Sequence, residues 1–120
     1  MLNLDTHILL HALTGDLKAR ERTILSNDSW SISAIVLWEI AFLARRGRID
    51  FEMDDPTLTA LLRQVHVWPL DLEVCRKLSE LDFSSDPADE IIAATSLVHR
   101  IPLVTRDRNI RSSRLLRFAN

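Results

Sequence analysis

Short apolar runs alternate along this chain with longer stretches in which apolar residues recur every three or four positions. Residues 2–4 (Leu-Asn-Leu) read as a short buried strand that ends at Asp5. Residues 6–13 read as a helix stopped by Gly15, and residues 18–26 as a second helix with apolar Ala19, Ile24 and Leu25. Residues 30–33 form a strand. Residues 34–46 form a helix ended by Gly47, with Arg45 and Arg46 favourably placed in its last turn. Asp55-Pro56 sets an N-cap before a proline at the first helical position, and that helix is expected to run to about residue 66. An extended piece over 67–69 follows, then a helix capped by Asp71 through Leu81. Asp86-Pro87 starts a helix reaching His99. Residues 103–105 read as a strand, a short helix follows near Asn109, and residues 115–118 read as an edge strand.

Strands separated by helices predict an α/β fold with a parallel sheet covered by helices on both faces. Runs as short and apolar as residues 2–4 suit a sheet buried on both sides. The 120 residues fit one domain over 1–120, and 47% hydrophobic content is enough to fill its core. Two Gly and four Pro argue against long flexible linkers. No apolar run reaches the roughly 18 residues of a membrane span. The N-terminus enters its first strand without a basic and apolar leader, so a cytoplasmic protein is expected. Cys75 stands alone, which excludes an internal disulfide and a cysteine zinc site; it reads as packing.

The net charge of −2 does not announce a nucleic-acid binder, but its distribution changes the picture. From Arg100 onward there are six arginines (Arg100, Arg106, Arg108, Arg111, Arg114 and Arg117) against one acid, Asp107. Phosphate contacts are made by Arg and Lys, so this is a candidate polyanion surface as well as an ordinary solvated tail.

The topology also places chemistry. Ligands of open parallel sheets bind at the carboxyl ends of the strands. Asp5 follows the first strand and Asp107 the last. Glu39 lies in the second turn of the helix after residues 30–33, and Asp89 in the first turn of the helix that leads to residues 103–105. All four acids map to one rim. Like charges raise one another's pKa, and an all-oxygen cluster of this kind suits Mg²⁺ or Mn²⁺, as one or two ions. Each acid also has an ordinary role: Asp5 as a cap, Asp89 in a capping box with Asp86, Asp107 as a turn residue. Glu39 is the informative one, because its neighbours at three and four positions are apolar, and a buried Glu needs a partner. Thr6 and Thr105 are candidate donors that orient these carboxylates; Ser33 reads as plain capping. His7 and His11 are four apart but lack a third soft ligand, and Trp30, Trp38 and Trp68 read as core.

Taken together, Leu4-Asp5-Thr6-His7, Ser33-Ala34-Ile35 with Leu37-Trp38-Glu39-Ile40-Ala41, Asp86-Pro87-Ala88-Asp89 with Ile92-Ala93-Ala94-Thr95, and Leu103-Val104-Thr105-Arg106-Asp107 give the chain its family likeness. It resembles the PIN-domain nucleases, specifically the VapC-type toxins of toxin–antitoxin pairs. The resemblance implies a three-layer α/β/α sandwich with a central parallel sheet, and Mg²⁺- or Mn²⁺-dependent endonucleolytic cleavage of RNA. It implies that Asp5, Glu39, Asp89 and Asp107 bind the metal and that Thr105 supports the site. It further implies a homodimer silenced by a cognate antitoxin protein. Two positions depart from the family pattern: Val36, where relatives often carry a small hydroxyl residue, and Glu90, where many carry arginine.

On this reading Arg106, Arg108 or Arg111 hold phosphates flanking the cut. Two other phosphoryl-transfer folds fit poorly. Receiver domains need a second acid beside Asp5 and a late lysine, but the lysines are Lys18 and Lys77; aspartate-nucleophile phosphatases need an acid where His7 stands. A catalytically weak or inactive PIN-fold module that binds RNA or a protein partner is the alternative.

Overall fold

A computed structural model of the protein describes residues 1–50 and 52–120. Strands β1 (Leu2–Leu4), β2 (Trp30–Ser33), β3 (His66–Trp68) and β4 (Leu103–Val104) form one sheet in the order β3-β2-β1-β4, with every pair parallel. Strands this short need burial on both faces to hold together, and Leu2, Leu4, Ile32, Leu103 and Val104 are each at most 4% exposed. Burying such a side chain contributes about 1.5–3 kcal/mol.

Helices α1 (Thr6–Thr14), α2 (Ala19–Ser26), α3 (Ala34–Arg45) and α4 (Pro56–Leu62) join β1 to β2 to β3, and α5 (Leu72–Lys77), a 3₁₀ turn (Leu78–Glu80) and α6 (Pro87–His99) lead back to β4. The first connections step one way across the sheet and the last steps back. With right-handed crossovers the two sets lie on opposite faces, which gives the three layers. The reversal falls between β1 and β4, so a crevice opens at their carboxyl ends. A last short helix, α7 (Arg108–Arg111), starts there.

The elements follow local signals. Asp5 caps α1, and Gly15 ends it at φ +78°, a left-handed turn that glycine adopts without strain. Ser33 caps α3 by accepting the Ile35 N–H at 3.2 Å. Proline opens α4 and α6. Buried Asn3 ties the layers: its amide donates to the Ile92 carbonyl at 3.1 Å and to Ser96 Oγ at 2.9 Å, joining β1 to α6.

Several expectations are corrected. Helix α4 ends at Leu62, because His66 is recruited into β3 by pairing with Ser31. Helix α5 tightens into the 3₁₀ turn before Leu81. Thr105 lies just past β4, and the edge strand over 115–118 reduces to one parallel bridge between Leu103 and Phe118. Trp38 is not core but 57% exposed: α3 turns Val36 and Ile40 inward, so Trp38 and Phe42 share its outer side, stacked at 5.3 Å between ring centroids. Cys75 is exposed, because α5 buries Val74 and the next position points away.

Candidate active site

Asp5 is the single residue between β1 and α1, and its carboxylate is fixed from three sides. Oδ1 accepts the N–H groups of His7 at 2.8 Å and Ile8 at 3.1 Å. Oδ2 accepts the Thr105 hydroxyl. Thr105 in turn accepts the backbone N–H of Asp107 at 3.0 Å, so one hydroxyl links the loop after β4 to the end of β1. Asp107 caps α7, with Oδ1 accepting from Ile110 N–H at 3.0 Å.

Glu39 is half-buried, and its Oε1 accepts the Thr6 hydroxyl. Asp89, also half-buried, accepts the Ser85 hydroxyl on Oδ2 at 2.8 Å. The capping-box role does not apply to it: Asp86 makes no side-chain cap bond, and the nearby backbone N–H of Ser85 goes to Glu90 Oε2 at 3.0 Å. Glu90 is thereby fastened to its own helix start.

Three of the acids act on the fourth. Burial first, and then the negative charges of Asp107, Glu39 and Asp5, hold the Asp89 carboxyl above its ordinary pKa against the opposing Ser85 hydrogen bond. None of the four is ion-paired among the described residues. Among the described residues, no three of them are arranged so as to hold a metal ion as they stand. Their donor chemistry nevertheless fits a hard cation. Glu39 Oε2, Asp89 Oδ1 and Asp107 Oδ2 have no hydrogen-bond partner among the described residues, while the other oxygen of each is anchored. Mg²⁺ keeps several of its waters and needs few protein carboxylates, so a closed cage is not required.

The arginines divide. Arg106 is engaged by Glu21, with Nε to Oε2 at 2.7 Å and Nη2 to Oε1 at 2.6 Å, and Nη2 also reaches the Asp16 carbonyl at 3.1 Å. That bidentate pair holds the Glu21 carboxyl down at about pKa 2. Arg111 reaches the Thr105 carbonyl at 3.3 Å and lies over the Phe118 ring. Arg108 is exposed. Sequence reasoning missed Ser85 and Glu21. Ser85 precedes Asp89 by four positions in a loop without periodicity, and Glu21 lies 85 residues from Arg106, so neither carried a readable signal.

The profile of the family described as PIN domain matches residues 3–114. Ribonuclease VapC22 of Mycobacterium tuberculosis is 34% identical over 102 residues, spanning 80% of this chain and 76% of that protein. Among solved structures, VapBC2 from Rickettsia felis, bound to a DNA fragment from its promoter, matches with a TM-score of 0.77 at 18% identity, over 100% of this chain and 98% of that one. FitAcB from Neisseria gonorrhoeae matches with a TM-score of 0.73 at 19% identity, over 100% and 97%. A toxin-antitoxin complex from Klebsiella pneumoniae matches with a TM-score of 0.68 at 19% identity, over 89% and 87%. At these identities the solved structures speak to the fold.

Proposed function

The chain belongs to the PIN domain family, and from that premise we propose that it is a divalent-metal-dependent endoribonuclease, the toxin of a toxin–antitoxin pair. The observation that carries this reading is that Asp107, Glu39 and Asp5, from three other segments, lie near enough to Asp89 to raise its pKa. Likeness to a protein named as a ribonuclease supports the reaction, and likeness to toxin–antitoxin structures supports the partner. The chain is proposed to act in the cytoplasm as one domain that dimerises and is silenced by its antitoxin. Among the described residues, no helix is long and apolar enough to cross a membrane.

Asp5, Glu39, Asp89 and Asp107 would hold Mg²⁺ or Mn²⁺. When bound, the ion lowers the pKa of water and offsets negative charge building on the phosphate. The protein's own contribution is positional. Thr105 fixes Asp5, Thr6 fixes Glu39, and Ser85 fixes Asp89, so each acid keeps its rotamer. Asn replaces Asp5 as a cap but removes its charge.

The test is cleavage of an RNA oligonucleotide by antitoxin-free protein with Mg²⁺ or Mn²⁺, with EDTA, and by Asp5→Asn. Chelation should abolish cleavage, and the substitution should lower it by about 10²-fold or more, since charge stabilisation by the ion amounts to several kcal/mol. Cleavage that survives both removes the metal mechanism. Metal binding without any cleavage would leave an inactive PIN-fold module.

A further inference from the structure

A groove of about 330 Å³ opens between the start of α2 and the end of β4. Lys18, Arg20, Arg106 and Arg111 line it, and Glu21 is the one acidic side chain among its lining residues. Glu21 is neutralised by Arg106, whose guanidinium is spent on that carboxylate and on the Asp16 carbonyl. Lys18 and Arg20 are exposed, and their side chains enter no ion pair among the described residues. Arg111 is steadied by the Thr105 carbonyl and the Phe118 ring, leaving guanidinium N–H groups to spare. Lys18, Arg20 and Arg111 thus face the groove outside any ion pair among the described residues, with Arg106 as part of its wall.

Its position matters as much as its charge. Thr105 lines the groove and also donates to Asp5, so the wall of the groove touches one of the four acids. Cations beside the acids would add to the docking of a phosphodiester chain. A positively charged groove of this kind suits the backbone of a single strand.

We propose, building on the ribonuclease reading, that single-stranded RNA runs through this groove toward the acids, with Lys18, Arg20 and Arg111 holding consecutive phosphates on one side of the cut. Arg106 contacts no phosphate: it is a strut that fixes the loop carrying Thr105 and Asp107 against α2. The phosphate role expected of Arg106 from its place in the sequence passes to Lys18 and Arg20.

The experiment measures the affinity of a fluorescent single-stranded RNA oligomer for the Asp5→Asn chain across a salt series, with and without Lys18→Ala/Arg20→Ala and Arg106→Gln. Removing Lys18 and Arg20 should raise Kd about ten-fold at physiological salt and reduce the salt slope by about 1.4, the contribution of two single-strand phosphate contacts. Arg106→Gln should leave the slope unchanged and lower the melting temperature. Unchanged Kd and slope in the double variant overturn the groove even if the wild type cleaves RNA. Loss of binding to an acidic protein partner with RNA affinity intact overturns it too, and assigns the cations to that partner. Salt-dependent RNA binding that needs Lys18 and Arg20, in a wild type that cuts no RNA, keeps the groove and removes the nuclease reading.

Discussion

The hydroxyl of Thr105 donates to the carboxylate of Asp5 across a separation of 100 residues, and the same oxygen accepts the N–H of Asp107. A hydroxyl has one proton to give, so this geometry commits Thr105 to Asp5 and sets the direction of both acids. Thr105→Val keeps the shape and removes the donor. It should lower kcat/KM for RNA about 10–100-fold while the melting temperature changes little, with Thr105→Ser restoring most of the rate. Equal losses in Val and Ser would mean that packing of the methyl group, and not the hydrogen bond, matters.

Asp89 is raised in pKa by burial and by three neighbouring acids, so its charge works against the folded state when no cation is bound. Asp89→Asn should leave the metal-free protein as stable as the wild type or more stable. The order should reverse in saturating Mg²⁺, because ligand at a hundred times its Kd adds about 2.7 kcal/mol to the wild type alone. Thermal melts of both proteins with and without Mg²⁺ decide this.

Asn3 is fully buried and its amide bonds α6, which carries Asp89, to β1, which leads into Asp5. Asn3→Ala leaves the Ile92 carbonyl and Ser96 without that donor and opens a small cavity. Urea unfolding should show a loss of about 2–3 kcal/mol. A loss below about 0.5 kcal/mol would show that water replaces the amide at no cost.

Glu21 titrates at about pKa 2 in the folded protein against an ordinary 4.5, with Arg106 as the main cause. A lowered folded-state pKa means that the pair stabilises the fold above pH 4.5 and loses that effect as pH falls toward 2. Solvent around Arg106 screens the pair, so Glu21→Gln should cost about 1 kcal/mol at pH 7. Unfolding curves of the two proteins should converge as pH drops through about 2, and a gap that persists below it would assign the difference to packing instead of charge.

Much of the molecule was legible in order along the chain, because its signals are local. The period of the apolar residues separates β1 from α1; Asp55-Pro56 and Asp86-Pro87 mark helix starts; Gly15 marks an end. Given alternating strands and helices, the carboxyl-end rule for parallel sheets directs Asp5, Glu39, Asp89 and Asp107 to one rim. Glu39 stood out because an acid inside an apolar helix face needs a reason to be there.

The contacts that cross between segments had no such signature. Trp38 looked like core in a helix apolar all round, and packing against the sheet chose Val36 and Ile40 instead. Arg106 sat in a basic tail that suggested phosphate binding, until α2 brought Glu21 against it. Ser85 reached Asp89 through a loop turn that no periodicity encodes. A helix or a cap is specified by residues within a few positions of each other, so its chemistry is written in consecutive letters. A hydrogen bond between residues 85 or 100 apart depends on how whole elements dock, and docking is settled by the summed burial of many side chains at once.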